Sequence, residues 1–124
     1  MKHVESAHQQ AYVARCRMHP VAKRVFAIPN GGKRNRITAA ILKAEGVLAG
    51  VPDLCLPVHA GSCFGLWVEF KSPDGRLSKE QAEYAGFLVA MGHVVLVVEE
   101  WRVAWDMTEK YLAGKLTPAM VVLR

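Results

Sequence analysis

The sequence predicts a single α/β domain, with a mixed central sheet flanked by helices and the element order αβαββαβα. Three observations support this fold class. Short runs rich in Val, Leu and Phe alternate with longer segments whose apolar residues recur at helical spacing. Gly and Pro residues separate the two kinds of segment. The chain has 124 residues, of which 52% are hydrophobic and 22% charged, and this suits one domain with a substantial core.

The first third of the chain is predicted to form a helix, a short strand and a second helix. The first helix spans residues 5–18, and Pro20 follows it; its apolar stripe is Val4, Ala7, Ala11 and Ala14. The strand spans residues 25–28 and leads into a Pro-Asn-Gly-Gly loop. The second helix ends at Gly46. Its expected buried stripe consists of Ile37, Ala40, Ile41 and Ala44.

Two strands follow, at residues 53–57 and 64–71. Ser78 and Gln81 have the spacing of a capping box, which opens a helix that runs to about residue 91. A Val-rich strand at residues 93–99 and a helix at residues 101–113 complete the core. The unit over residues 64–99 should be a right-handed parallel crossover. The domain core thus covers about residues 5–113, and the tail at residues 114–124 is an edge strand, a dimer contact or a frayed end.

Composition excludes several classes of protein and of site. No apolar run approaches the ~20 residues that span a bilayer, and the amino terminus lacks the apolar core of a secretion signal. A cytoplasmic protein with no membrane partner is expected. Cys16, Cys55 and Cys63 have no metal-site spacing and are expected to be buried free thiols. The five histidines also lack zinc-site spacing.

Positive charge is concentrated in the first third of the chain. Residues 6–44 contain eight Lys or Arg residues and no acid, whereas the whole chain has 16 bases and 11 acids. This distribution indicates either a surface that binds a polyanion such as DNA or a basic face exposed only to solvent. Three bases that follow the glycine loop oppose the dipole of the second helix, a conflict that bound phosphate would relieve. The candidate DNA-binding residues are Lys23, Arg24, Asn30, Lys33, Arg34 and Arg36.

One pattern carries catalytic chemistry: Pro52-Asp53 before one apolar strand, and Glu69-x-Lys71 in the next. Residues two apart on a strand share a face, so Glu69 and Lys71 point the same way, and a neighbouring strand could bring Asp53 beside Glu69. Two carboxylates and an amine in one place would bind a divalent cation and position a water molecule for attack, as in metal-dependent phosphodiesterases. The alternative is a strand-entry acid and a solvated strand face. The apolar context favours catalysis, because buried charge needs a partner.

The chain resembles the VRR-NUC family, a branch of the PD-(D/E)xK, restriction-endonuclease-like nucleases. The resemblance covers roughly residues 5–113. It lies in Glu5-Ser6-x-x-Gln9, Ile28-Pro29-Asn30-Gly31-Gly32, Gly46, Gly50-Val51-Pro52-Asp53, Glu69-Phe70-Lys71-Ser72-Pro73, Gly75-Arg76-Leu77-Ser78, Gln81-x-x-Tyr84 and Gly92. The short length resembles stand-alone members, often encoded by bacteriophages, so that the location would be the cytoplasm of a bacterial host.

The resemblance implies a role for each site residue. Asp53 and Glu69 would be metal-binding carboxylates, with the Phe70 carbonyl as a further ligand of Mg²⁺, for which Mn²⁺ should substitute. Lys71 would orient the water or stabilise the transition state. Glu5 would complete the acidic cluster, directly or through water, or else be a helix-start acid favoured by the dipole. Gln81 would sit beside the site, cap the helix, or do both.

The implied reaction is metal-dependent endonucleolytic hydrolysis of DNA. The chain has no room for a specificity domain, which favours structure-selective binding of branched DNA such as four-way junctions. The resemblance also implies a homodimer, with the apolar tail, Trp101 and Trp105 as candidate contacts if they are not core. Two other hypotheses remain: a catalytically silent nucleic-acid-binding module of the same fold, and an anion-binding protein that uses Asn30-Gly31-Gly32-Lys33, which lacks P-loop spacing.

Overall fold

The computed structural model describes residues 2–29 and 35–124, and for Lys2 and His3 the backbone alone. Its helices and strands follow the predicted order, with one strand added at the end. The helices are α1 Lys2–Arg17, α2 Arg36–Ala44, α3 Lys79–Ala90 and α4 Trp101–Leu112. The strands are β1 Phe26–Ala27, β2 Leu54–Leu56, β3 Leu66–Phe70, β4 Val94–Val98 and β5 Ala119–Leu123. Within the described residues, every helix is too short or too polar to span a bilayer.

The five strands form one mixed sheet in the order β1-β2-β3-β4-β5. β1 and β2 are antiparallel, as are β2 and β3. β3 and β4 are parallel, as the crossover prediction required, and β4 and β5 are parallel too. The predicted fold class, an α/β domain with a mixed sheet between helices, is therefore confirmed.

Each face of the sheet buries a different cluster of side chains. Even-numbered residues of β2, β3 and β4, with Phe70 among the largest, pack against α1 and α4 in the main core. A smaller cluster on the other face joins Val95 and Val97 of β4 to Ala85 and Leu88 of α3. This alternation follows from the two-residue period of a strand. Glu69, an odd-numbered residue of β3, therefore lies on the α3 face.

The buried face of α1 differs from the predicted stripe. Val4 is 47% exposed, and Ala7 and Ala14 are exposed as well. Tyr12 and Cys16, one turn apart, are buried instead, and the Tyr12 hydroxyl shares a 2.7 Å hydrogen bond with the Thr108 hydroxyl of α4. A tyrosine removes far more apolar area from water than an alanine does, so packing rotates the helix towards Tyr12.

The predicted burial of the α2 stripe is wrong. α2 lies wholly within the described residues, and none of its residues is buried. Ile37 is 75% exposed and Ile41 is 52% exposed, and Ala40 and Ala44 are exposed too. The helix itself is placed correctly, with Asn35 as its N-cap: the Asn35 side chain accepts a 2.7 Å hydrogen bond from the Thr38 amide.

The tail and the predicted thiols have definite positions. Of the three alternatives for the tail, the structure has the edge strand: β5 pairs with β4, and Met120 and Val122 are 42% and 47% exposed. Trp105 is a core residue, 7% exposed, and Trp101 packs partly against the same core. The three cysteines, Cys16, Cys55 and Cys63, are buried and free, as predicted.

Candidate active site

The strand register brings Asp53 and Glu69 together. Leu54 lies opposite Val68, so the preceding residue, Asp53, lies opposite Glu69. The Ile28 amide donates to the Asp53 carbonyl at 2.8 Å, and this bond directs the Asp53 backbone towards β1. Towards β3, Asp53 is therefore in a non-hydrogen-bonded pair, the arrangement in which opposed side chains come closest. Two carboxyl groups thus meet at the end of β2.

Pro52 ends the β2–β3 ladder at the same place. The register places Pro52 opposite Phe70, and a proline has no amide hydrogen to donate. The Phe70 amide donates instead to Asp53 Oδ2, at 2.9 Å, and this contact orients the Asp53 carboxyl group. No β2 amide can donate to the Phe70 carbonyl at this position. The Pro-Asp dipeptide therefore fixes the carboxyl group and removes one ladder donor from the adjacent Phe70 carbonyl.

Gln81 connects Glu69 with Lys71. Its side-chain Nε2 donates to Glu69 Oε2 at 3.2 Å, and its Oε1 accepts from Lys71 Nζ at 2.8 Å. Lys71 Nζ also lies 3.5 Å from Glu69 Oε2, and the two side chains are 14% and 6% exposed. Gln81 is at the same time the capping-box partner of Ser78, so both roles considered for it occur together.

The capping box fixes where the Gln81 side chain sits. Ser78 Oγ accepts from the Gln81 amide at 3.1 Å, and the Ser78 amide donates to Gln81 Oε1 at 2.8 Å. Replacing Ser78 with Ala should lower the free energy of unfolding by about 1 kcal/mol, because a helix amide loses its acceptor. Urea denaturation of Ser78→Ala measures this loss. Ser62→Ala, in an exposed turn, is the control, and equal stability of the two variants would contradict the prediction.

Glu5 joins the site from the other face of the sheet. Glu5 Oε2 accepts a 3.0 Å hydrogen bond from the amide of Ser72, just after the Glu69-x-Lys71 strand. Burial is the main cause that raises the pKa of Asp53 and of Glu69, and Glu5 adds a smaller rise because a like charge nearby disfavours their ionisation. The structure therefore brings Glu5, Asp53, Glu69, Lys71 and Gln81 to one edge of the sheet.

Burial and repulsion set the protonation of the two carboxyl groups. Burial, followed by the neighbouring Asp53 carboxylate, raises the pKa of Glu69 to about 8, and Lys71 only partly opposes this. Burial also raises the pKa of Asp53, while the Phe70 amide and a hydrogen bond with Glu69 lower it. At neutral pH, Glu69 therefore keeps its proton and shares it with the Asp53 carboxylate. Because the two groups interact, their protons are lost in two steps that belong to the pair.

One contact at this edge was missed by the sequence analysis. Arg124, the residue after β5, donates from Nη2 to the Gly75 carbonyl at 2.8 Å, and its Nη1 lies 3.5 Å from Glu99 Oε2. It thereby holds the turn that follows Lys71 and precedes Ser78. No signal in the sequence could have found this contact, because the tail had three open alternatives and the contact exists only once β5 pairs with β4.

The predicted DNA-binding residues that the structure describes do not form part of this cluster. Lys23 and Arg24 are exposed and lie before β1, and Arg36 is exposed at the start of α2. Ile28 is the β1-side neighbour of Asp53, so Lys23 and Arg24 lie at the opposite end of this strand from the carboxyl groups. The other three predicted residues, Asn30, Lys33 and Arg34, lie outside the described residues, as does the whole of the proposed anion-binding loop, Asn30-Gly31-Gly32-Lys33.

Comparison with known proteins places the chain in a family. The VRR-NUC domain model matches residues 4–105. A solved structure described as a VRR_NUC domain protein shares 22% identity with the chain, and the match covers 87% of each chain with a TM-score of 0.73. That likeness supports the fold. No curated protein matches the sequence. Because the family model covers most of its length, the chain belongs to the VRR-NUC family and carries a nuclease-type domain.

Proposed function

We propose that this chain is a divalent-metal-dependent DNA endonuclease that hydrolyses phosphodiester bonds. The observation that carries the proposal is the meeting of two buried carboxyl groups, Asp53 and Glu69, with the Lys71 ammonium group alongside. Burying carboxyl groups against each other raises their pKa and opposes folding, so a stable core gains nothing from it. Binding phosphate alone gains nothing either, since carboxylates repel it.

The donor set fits Mg²⁺, with Mn²⁺ as a substitute. All the proposed donors are oxygens: Asp53, Glu69, the Phe70 carbonyl and, through water, Glu5. In the described part of the chain, no three His, Cys, Asp or Glu side chains form a ready-made metal cluster, so the set depends on that carbonyl and on water. When bound, the cation would supply an acidified water and neutralise charge on a non-bridging phosphate oxygen.

The protein's own groups would position the attack. Lys71 is held by Gln81 and Glu69, so its ammonium group has a fixed direction; it would orient the water or stabilise the negative charge of the transition state. Gln81 would act through Lys71, because its amide contacts both Lys71 and Glu69. Glu5 would fix the end of β3 through the Ser72 amide.

The substrate that we propose is branched DNA, bound by phosphate contacts and by a homodimer. Lys23, Arg24 and Arg36 are exposed bases, and we propose that they contact phosphates together with Asn30, Lys33 and Arg34. Phosphate contacts position a protein on DNA without reading sequence. A two-fold pair of sites would suit cleavage of opposed strands.

Cleavage assays on a panel of linear, flapped and four-way DNA substrates test the proposal. We expect cutting with Mg²⁺ or Mn²⁺, faster on branched substrates, and DNA binding without cutting when a chelator is present. Cutting that survives chelation would exclude the proposed mechanism. Binding with no cutting under any metal would instead favour a catalytically silent module of the same fold. Equal rates on linear and branched DNA would remove the structure selectivity.

A further inference from the structure

The sheet face that carries Asp53 and Glu69 is covered by α3 at β4 and β5 and has an exposed phenylalanine, Phe26, at β1. α3 packs on β4 and β5. A row of residues crosses this face from strand to strand, each opposite the next: Phe26, Cys55, Trp67, Val95 and Met120. The two ends of the row are exposed, since Phe26 is 47% and Met120 42% accessible. The Phe26 end lies on β1, the strand next to β2, which Asp53 precedes.

Phe26 lies close to the carboxyl groups. Asp53 and Cys55 are two residues apart on the same face of β2, which is about 7 Å along the strand. Phe26 is opposite Cys55 on the next strand, about 5 Å away. The phenyl ring is therefore roughly one nucleotide from the carboxyl pair, in a row directly beside it.

The sheet surface between Phe26 and Glu69 is held in place by contacts of Trp67. Trp67 lies two residues from Glu69 on β3, and its indole Nε1 donates to His93 Nδ1 at 3.1 Å. The rings of Trp67 and His93 meet edge to face, with centroids 5.9 Å apart. Cys55, between Phe26 and Trp67, is 6% exposed. Phe26 is thus the exposed aromatic side chain of an ordered, apolar strip.

Positive charge flanks this strip. Lys23 and Arg24 precede Phe26 by three and two residues, and both are exposed. Arg17 Nη1 donates to the carbonyls of Lys23 and Val25, at 2.7 Å and 2.6 Å, so the backbone before Phe26 is held in place. An exposed aromatic ring beside bases that can contact phosphates is the combination that binds single-stranded nucleic acid.

We propose that Phe26 stacks on an unpaired DNA base next to the cleaved phosphate. This inference rests on the proposed function and specifies its substrate: DNA with at least one unpaired nucleotide beside the cut, as at a flap, a gap or a branch point. In an intact duplex each base is already stacked between its neighbours, and exposing it costs a few kcal/mol. A base that is already free meets Phe26 without this cost.

The test measures binding with a chelator present, so that no cleavage is needed. The DNA carries the fluorescent base 2-aminopurine, either unpaired beside a nick or fully paired. We expect fluorescence quenching on the unpaired base by wild-type protein. Phe26→Leu, which keeps an apolar side chain but removes the aromatic ring, should weaken binding of the unpaired DNA about tenfold and leave duplex binding unchanged. Phe26→Trp should retain both the quenching and the affinity.

Phe64→Leu is the matched control, because Phe64 is an exposed phenylalanine just before β3, at the end of that strand away from Glu69. It should bind both DNAs as wild type does. Equal losses on unpaired and paired DNA, or no loss in Phe26→Leu, would overturn the inference. The metal-dependent assay reports separately on the proposed function: selective loss in Phe26→Leu by a protein that cuts nothing would retain the stacking site and reject the nuclease.

Discussion

Replacing Lys71 with Ala should reduce DNA cleavage by about 10²- to 10³-fold, the usual cost of removing a group that stabilises charge in a transition state. Lys71 is 14% exposed and is held between Gln81 and Glu69. An ammonium group fixed in this way needs no reorganisation when negative charge develops on the phosphate. Single-turnover cleavage at saturating metal measures the effect on the chemical step.

DNA affinity should change little in the same variant. Lys71 is nearly enclosed, whereas the exposed bases Lys23, Arg24 and Arg36 carry the proposed phosphate contacts. Binding is measured with a chelator present, and Lys110→Ala, which removes an exposed lysine of α4 on the other side of the sheet, is the control. Undiminished cleavage by Lys71→Ala would remove Lys71 from the mechanism. A parallel loss of affinity and rate would make Lys71 a DNA-binding residue instead.

The parts of the site that the sequence predicted are those whose geometry is local. The Ser78–Gln81 capping box needs only one helical turn, and its two hydrogen bonds form as predicted. The meeting of Asp53 with Glu69 needs only the register of two consecutive strands, which Pro52 helps to terminate. These are short-range consequences of residue type, and sequence reasoning handles them well.

The sequence predictions were wrong, or incomplete, where burial and contacts depend on packing between segments that are distant in the chain. The pattern of α2 shows which of its faces is apolar, but it holds no information on whether another element covers that face; Ile37 and Ile41 are exposed. Either the alanine stripe or the Tyr12 face of α1 could have been buried. The Tyr12 face is the buried one because it packs against α4, where Tyr12 bonds to Thr108. The Arg124 contact likewise depends on a strand pairing that residue spacing does not specify.

In the absence of metal, the protein should be less stable at pH 8 than at pH 5.5, and Glu69→Gln should remove much of the difference. The pKa of Glu69 is about 8 in the folded protein, against an ordinary value of 4.5. Between these values the folded state keeps a proton that the unfolded state has released. Raising the pH in this window therefore favours unfolding, and stability falls until the pH passes the folded pKa.

The effect is large because Glu69 is 5% exposed, so solvent screens it little. Each pKa unit corresponds to about 1.4 kcal/mol of unfolding free energy. Glu69, which shares its proton with Asp53, stays protonated in the folded protein over most of the interval from pH 5.5 to pH 8. We therefore expect the free energy of unfolding to fall by roughly 3 kcal/mol over that interval. Urea denaturation at both pH values, with a chelator present, measures it. Glu69→Gln keeps an acceptor for the Gln81 amide and has no proton to lose, so at pH 8 it should be more stable than the wild type.

Two controls separate this effect from the titration of other groups. Glu109→Gln, at an exposed acid of α4, should follow the wild-type pH dependence. Adding Mg²⁺ at pH 8 should stabilise the wild type and leave Glu69→Gln nearly unchanged, because a ligand stabilises only the protein that binds it. If the wild type and Glu69→Gln respond identically to pH, the two carboxyl groups do not repel each other in the folded protein. The principal structural argument for a cation between Asp53 and Glu69 would then be lost.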